Sequence, residues 1–487
     1  MSHSHDPAAL PSLRDLDRAK PLERQLLARL RGAIEQGTLV AGERLPSSRA
    51  LASSLGVARN TVIRVFDQLI AEGYLESRVG SGTRVVGGAI TGRVDAAVCV
   101  AETPADLKDL VAIDRLAAVV DTLDPPPAVP FAVPQPATGV VPDRHWVRIG
   151  NRIRAAAATP SSYGSAFGEP LLREAIAGYL CHSRGVKCDA DNVVITAGAQ
   201  QAIYAACRVL LSPERTALVE DPAYPGLTTV LDDLGIPTTR ARVDEQGMCP
   251  DFGTVDKDAV RVTFVTPSHQ YPLGMPLSMA RRQALVAWAQ AKGGWIVEDD
   301  YDSELRYAGH PFPAMQGLCP ERVLYLGTFS KVVFPALRMG YIIAPKALTK
   351  ALAGARALID RHSPTVDQLI LAEHIRKGHF EAHIRRTRVL YGERRDALLD
   401  ALRRGLPTGF EIQPSDQGMH VLVWLPPHLA DSEVSRRLMS HGLYARPISA
   451  MYGTDPRQGL MLGFGAFPKH VLRDSAKLLC EELGRNG

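Results

Sequence analysis

Long apolar runs are missing from this sequence. Nowhere do about 18 uninterrupted apolar residues occur, so no membrane-spanning helix is expected. Charge of one sign is nearly missing too: 56 Lys and Arg against 52 Asp and Glu leave a net of +4 over 487 residues. Taken whole, the chain does not look like a nucleic-acid binder. Cysteine is sparse and scattered, at positions 99, 181, 188, 207, 249, 319 and 480, and no Cys-x-x-Cys pair occurs. That excludes a disulfide framework or a zinc knuckle and suits a reducing compartment. Met1 to Pro7 is polar and His-rich, unlike the apolar core of a signal peptide, so a cytoplasmic location is expected. What is present is ordinary globular composition, 46% apolar and 22% charged, with length for about three structural units.

The chain divides by pattern. Residues 13–86 carry helical periodicity and end in a short Gly-rich strand pair. Residues 87–128 read as a linker, poorly patterned apart from a helix-like stretch from Asp106 to Leu123. Pro125, Pro126 and Pro127 follow, then Pro130, Pro134, Pro136 and Pro142, a density that reads as an extended spacer running onto a surface. Residues 129–487 form the remainder, a larger part over about 145–345 and a smaller α+β part over about 346–487. In the larger part, strand-length apolar runs (193–196, 216–220, 262–265, 295–298, 323–326, 341–344) alternate with helical patterns. Such alternation predicts a mainly parallel sheet covered by helices, an α/β fold.

Local charge tells more than the total. The first 88 residues hold 12 Lys and Arg but 9 Asp and Glu, so most of the net charge lies in the first fifth of the chain. Three helices are read over about 20–37, 47–55 and 59–72, with Ser47 capping the second and Gly37, Gly56 and Gly73 as stops. The turn Gly56-Val57-Ala58 between the last two makes a helix-turn-helix unit. Residues 74–86 read as a β-hairpin with a Gly80-Ser81-Gly82 tip, whose small residues let backbone amides approach a phosphate. Arg59, Asn60, Thr61 and Arg64 lie on the solvent side of the third helix, placed to reach bases or phosphates in a major groove. The ordered set Leu45-Pro46-Ser47-Ser48-Arg49, Leu55-Gly56-Val57, Arg59-Asn60-Thr61-Val62, Ala71-Glu72-Gly73-Tyr74-Leu75 and Gly80-Ser81-Gly82-Thr83 closely resembles a GntR-type winged helix. The resemblance implies DNA contacts from Arg49, Arg59, Thr61, Arg64 and the wing around Gly80.

A second constellation lies downstream. Thr328-Phe329-Ser330-Lys331 follows a buried strand, and Arg338 comes seven residues later. Burial depresses a lysine's pKa and makes its amine nucleophilic towards an aldehyde. Arg338 with the hydroxyls of Thr328 and Ser330 can hold a phosphate. An aldehyde bearing a phosphate points to pyridoxal phosphate. Strand 193–196 runs through Ala197-Gly198 into Ala199-Gln200 and a helix, an anion site made of backbone amides and the helix dipole. Asp299 at a strand end can pair with a protonated pyridine nitrogen, Tyr301 with the ring oxygen, and Tyr224 can cover the ring.

Taken with Pro267-Ser268-His269-Gln270-Tyr271-Pro272 and Glu298-Asp299-Asp300-Tyr301-Asp302, these stretches resemble a fold-type I, aminotransferase-like domain. Its fusion to a GntR winged helix resembles the MocR/GabR-type bacterial transcription regulators, over essentially the whole chain. The family implies that Lys331 forms the Schiff base with the cofactor and Asp299 pairs with the pyridine nitrogen. Tyr301 and Tyr224 would contact the ring, and Ala199, Gln200, Thr328, Ser330 and Arg338 would hold the phosphate. Tyr163 would reach the partner subunit's phosphate. Two positions depart from the aminotransferase pattern: Tyr271 stands where those enzymes carry Asn, and Met461 where they carry the arginine that grips a substrate carboxylate. Arg446 is a candidate replacement for an effector, and no metal site is indicated.

The expected function is a PLP-dependent regulator that binds operator double-stranded DNA as a homodimer. Its signal would be an amine or amino-acid effector, or PLP itself, through Lys331. RNA polymerase is a further candidate partner, and the expected location is bacterial, cytoplasmic and nucleoid-associated. The alternative is an active aminotransferase with an accessory DNA-binding domain. Met461 argues against efficient turnover, whereas a residual half-reaction is compatible with the site.

Overall fold

The computed structural model describes residues 16–78, 82–86, 113–133, 135–137, 140, 143–155, 160–249, 259–413 and 415–485. The chain forms two compact units, residues 1–110 and 111–487. The first contains α1 (Leu22–Glu35), α2 (Ser48–Leu55), α3 (Arg59–Ala71) and the antiparallel strands β1 (Leu75–Arg78) and β2 (Gly82–Val85). Each feature has a local cause. Ser47 Oγ accepts the Ala50 N–H and starts α2, and Gly56, left-handed at φ 61°, ends it. Leu26, Leu30, Leu51, Val62, Val65, Leu69, Leu75 and Val85 meet in one small core. The expected helices agree to within two residues at each end. Gly80, at the hairpin tip, lies outside the described residues.

The second unit begins with α4 (Ile113–Leu123), α5 (Arg144–Ala155) and α6 (Pro170–Arg184). There follow β3 (Val193–Thr196), α7 (Ala199–Leu210), β4 (Thr216–Asp221), α8 (Pro225–Asp233), β5 (Thr238–Asp244), β6 (Gly247–Met248), β7 (Val260–Val265), α9 (Met279–Lys292), β8 (Trp295–Asp300), β9 (Val323–Thr328) and β10 (Gly340–Ile343). These strands make one sheet in the order β3-β10-β9-β8-β7-β4-β5-β6, parallel from β9 to β5, with β10 reversed between β9 and β3. The central strands are apolar throughout because helices cover both faces. Val194, Val297, Leu324 and Ile342 point to the face under α7 and α8, while Ile195, Tyr325 and Tyr341 point to the other. The remainder is α10 (Lys346–Asp360), α11 (Thr365–Arg376), α12 (His379–Gly405), β11 (Glu411–Gln413), β12 (His420–Trp424), α13 (Asp431–Ser440), β13 (Arg446–Pro447), β14 (Gly459–Gly463) and α14 (Lys469–Gly484). Its four strands form an antiparallel sheet, β11-β12-β14-β13.

Three local readings change. The segment expected to run as a proline spacer over a surface is instead buried at residues 131–133: Gly463 N–H donates to the Phe131 carbonyl, which fastens the segment to β14. Pro134 and Pro142 lie outside the described residues. Within the stretch read as linker, α4 docks on α8, with Arg115 on Asp233 at 3.1 Å, and residues 106–112 are outside the described set. Strand β5 has no counterpart among the expected strands, because Arg240 and Arg242 interrupt its apolar pattern near the sheet's edge.

One buried carboxylate ties the second sheet together. Asp431, fully buried, accepts the N–H groups of Ile448, Ser449 and Gly459 and the Ser449 hydroxyl. Asp431→Ala strands these donors and should cost roughly 2–4 kcal/mol. A lower urea midpoint checks this, with Asp431→Asn, which keeps one acceptor, losing less.

Candidate functional site

In the first unit, Arg49, Arg59 and Arg64 are exposed and Thr61 is half-buried on α2 and α3. Arg59 Nε reaches Ser48 Oγ at 3.5 Å, which draws the starts of α2 and α3 together. Arg64 stands 3.6 Å from Glu23, a pair more than 40% exposed on both sides and therefore easily exchanged for a phosphate. Arg44 escaped the sequence reading. It bridges to Arg84 of β2, and a Cβ on Gly82 would lie 2.8 Å from its Nε, so it flanks the wing. Its only sequence signal was a lone arginine before Leu45-Pro46.

In the second unit, the parallel strands end along one edge of the sheet, where α/β folds place ligands. Gly340 is paired with both Thr196 and Thr328, which brings the ends of β3 and β9 together. It packs so closely that an added Cβ would stand 2.9 Å from Gly198 Cα, so only glycine fits. Gly198 itself holds φ 105° and turns the chain into α7, whose first residues are Ala199 and Gln200. The free N–H groups of that helix start face the same edge. Arg338, left-handed at φ 48°, sets its guanidinium 3.6 Å from where a Gly198 Cβ would lie. Thr328 and Ser330 are buried with their hydroxyls 3.1 Å apart. The Gln200 side chain is spent on the Gly226 carbonyl at 2.8 Å, which leaves only its backbone for an anion.

Strand alternation sorts the three acids at the end of β8. Asp300 turns to the face where Arg184 bonds it at 2.7 Å, with Ser303 and Tyr325 also donating to it. Asp299 turns to the opposite face, and its Oδ1 is buried with no hydrogen-bond partner among the described residues. Burial, reinforced by Asp300, Glu220 and Asp302, pushes its carboxyl up to about 7. Lys331 faces the same space, and burial pushes its amine down to about 8 against the pull of Asp302 and Asp299. Asp302 is bonded to His269 Nδ1 at 2.9 Å. Tyr301 donates to the His269 carbonyl at 2.9 Å. The ring of Tyr224 meets that of Tyr271 edge-on at 5.5 Å. The His269–Asp302 pair was visible in the quoted segments but carried no assigned role. Its sequence separation of 33 hid the contact. Tyr163 is 75% exposed, with the Arg361 guanidinium over its ring, and lies apart from this cluster. Arg446, by contrast, reaches the cluster electrostatically.

Two family models match. Residues 22–85 fit the bacterial regulatory proteins of the gntR family and residues 131–458 fit aminotransferase class I and II. The chain is 35% identical to the probable rhizopine catabolism regulatory protein MocR of Rhizobium meliloti, over 96% of this chain and 94% of that protein. It is 33% identical to the pyridoxine biosynthesis transcriptional regulator PdxR of Corynebacterium glutamicum, over 96% and 95%. The chain belongs to the MocR-type family of transcription regulators. Among solved structures it resembles the α-aminoadipate aminotransferase LysN of Thermus thermophilus, complexed with a phosphopyridoxyl-leucine, at a TM-score of 0.69 and 25% identity. That match covers 75% of this chain and 94% of LysN. Pyridoxal phosphate is the cofactor this fold implies. The residues present fit it: Asp299 offers a buried acceptor without a donor, and Lys331 offers a depressed amine.

The folded Asp299 carboxyl titrates at about 7 against an ordinary 3.8. The folded state therefore holds a proton that the unfolded state has lost, and cofactor-free protein loses stability as pH rises between those values. Asp299→Asn should melt above wild type at about pH 8, with the gap closing towards about pH 4. Thermal melts of cofactor-free protein across pH test this, and a pH-independent gap would refute it.

Proposed function

We propose that this regulator binds operator DNA through its winged helix and holds pyridoxal phosphate at Lys331, working as a homodimer in the cytoplasm. The signal is an amine or amino-acid effector, or the cofactor itself. The observation that carries the reading is a buried, depressed lysine, Lys331, within the field of the unpartnered Asp299 Oδ1 at the sheet edge, in a chain that also carries a GntR-type unit. When bound, the cofactor supplies an aldehyde that condenses with amines, on an electron-withdrawing ring.

The chain's own residues do the holding. Asp299 Oδ1 accepts the pyridine N–H. The backbone of Ala199 and Gln200, the hydroxyls of Thr328 and Ser330, and Arg338 take the phosphate. Tyr224 covers the ring, and Tyr301 turns its hydroxyl from His269 towards the ring oxygen. Dimerisation is supported by the exposure of Tyr163 and of Leu358 and Ile359 nearby in the chain's second unit, positions free to meet a second copy. On DNA, Arg49, Arg59, Thr61, Arg64 and the wing around Gly80 make the contacts. An effector changes DNA binding only so far as it binds the two states unequally.

Two measurements test the halves separately. Purified protein incubated with PLP and dialysed should keep a visible absorbance band that Lys331→Ala lacks; a wild type that never acquires the band removes the cofactor half. In a gel-shift titration, Arg59→Ala should weaken operator binding by about 1–3 kcal/mol, as for a lost bidentate contact to guanine. An unchanged midpoint strikes Arg59 from the contacts.

A further inference from the structure

Two of the scattered cysteines meet in the fold. Cys181 lies in the last turn of α6, and Gly185, left-handed at φ 66°, ends that helix and turns the chain back. The return brings Cys188 alongside. Cys181 Sγ stands 3.3 Å from the Cys188 carbonyl oxygen, and the two thiols are close enough to hydrogen-bond each other. Their spacing is unlike the Cys-x-x-Cys of redox motifs, so the turn and not the sequence pattern makes the pair. The other described cysteines are placed differently. Cys207, Cys319 and Cys480 are buried in three different apolar clusters, and Cys249 donates to Asp244.

The backbone is fixed on both sides of the pair. On the α6 side, Arg184 bonds Asp300 and Ser268, and its carbonyl accepts the Ala314 N–H. On the other side, Lys187 N–H donates to Gln316 Oε1 at 2.8 Å, and Gln316 Nε2 donates back to the Lys187 carbonyl at 2.9 Å. Asp189 caps the single turn Ala190–Asn192 that follows. Thiols on a backbone held this firmly lose little freedom when they are joined, which favours reaction with each other.

The two sulfurs are not equivalent. Cys181 is exposed. Cys188 is half-buried against the main core cluster, and burial, reinforced by Cys181, pushes its thiol up to about 12. The thiolate is the nucleophile, so Cys188 reacts poorly with an oxidant from solution, whereas Cys181 is open to one.

We propose that Cys181 and Cys188 are a peroxide-sensitive dithiol that closes reversibly into a disulfide, with Cys181 oxidised first and Cys188 resolving it. The Cys181 thiolate attacks one oxygen of hydrogen peroxide, the O–O bond breaks, and hydroxide leaves a sulfenic acid behind. The Cys188 thiolate then attacks the Cys181 sulfur: the S–S bond forms, the S–O bond breaks and a second hydroxide leaves. The two thiol protons turn both hydroxides into water, and two electrons pass from the sulfurs to the peroxide oxygens. The closed ring runs from Cys181 to Cys188 and contains Arg184, the residue that holds Asp300 beside Asp299. In a reducing compartment the pair stands as thiols, and the disulfide forms when peroxide arrives.

The test needs neither cofactor nor DNA. Full-length protein, reduced and freed of reductant, is treated with hydrogen peroxide, alkylated in denaturant and weighed by mass spectrometry. Wild type should lose two hydrogens and leave two thiols unalkylated, and dithiothreitol should reverse both changes. Trypsin cuts after Arg184 and Lys187, which puts the two cysteines in separate peptides, so an unreduced digest should contain them linked. Cys188→Ser should stop at a Cys181 sulfenic acid that dimedone traps, and Cys181→Ser should leave Cys188 unoxidised. Oxidised wild type should melt above reduced wild type, because the closed loop restricts the unfolded chain while the native thiols already touch. The inference is overturned if wild type keeps every thiol alkylatable, or if the linked peptides join other cysteines. It is equally overturned if an unreduced gel shows two copies joined through Cys181, if Cys188 is oxidised as readily in Cys181→Ser, or if the oxidised protein melts below the reduced one.

Discussion

The buried ion pair between Arg184 and Asp300 carries much of the larger sheet's functional edge. Arg184 comes from α6, far from β8 in sequence, and both side chains are almost fully enclosed. Its guanidinium also bonds the Ser268 hydroxyl, one residue before His269, while Tyr325 of β9 donates to the same carboxylate. A charge buried this deeply is tolerable only when paired and hydrogen-bonded. By holding Asp300 Oδ2, the pair fixes one of the consecutive acids that end β8, although Asp300 Oδ1 is buried without a hydrogen-bond partner among the described residues. It leaves Asp299 alone on the opposite face, where the amine of Lys331 is.

The two neighbouring acids thus differ through geometry, not through residue type. Pleating sends successive side chains to opposite faces. One meets an arginine and becomes structural, and the other is buried without a hydrogen-bond partner for its Oδ1, near a depressed lysine. The same logic separates the two arginines near the site. Arg338 sits at the α7 start, where backbone amides already attract an anion, and Arg446 sits on the smaller sheet among aromatic rings.

Much of this was legible in the sequence. Strands β3, β4, β7, β8 and β9 could be read because a sheet covered on both faces demands continuous apolar runs. Lys331, Asp299, Tyr301 and Tyr224 could be singled out because each lies at or just beyond a strand end. The helices of the winged unit were marked by Ser47 and by glycines that tolerate a left-handed turn. Strand β5 was not legible, because near the sheet's edge, next to the two-residue β6, its half-buried and exposed positions accept arginines. The burial of Phe131 was hidden among prolines, because a segment's fate on a sheet edge depends on what that edge leaves unpaired.

The sequence by itself determined the element types and the chemistry within reach, because periodicity, caps and strand-end residues act locally. It also determined the regulator family, because ordered motifs in both units survive as residue patterns. Only the tertiary structure decided which of the acids at the end of β8 is free, and that Arg446 lies opposite Met461. It alone showed that His269 belongs to Asp302. Those facts depend on pleat parity, strand register and contacts between residues far apart in the chain, and no local pattern encodes them.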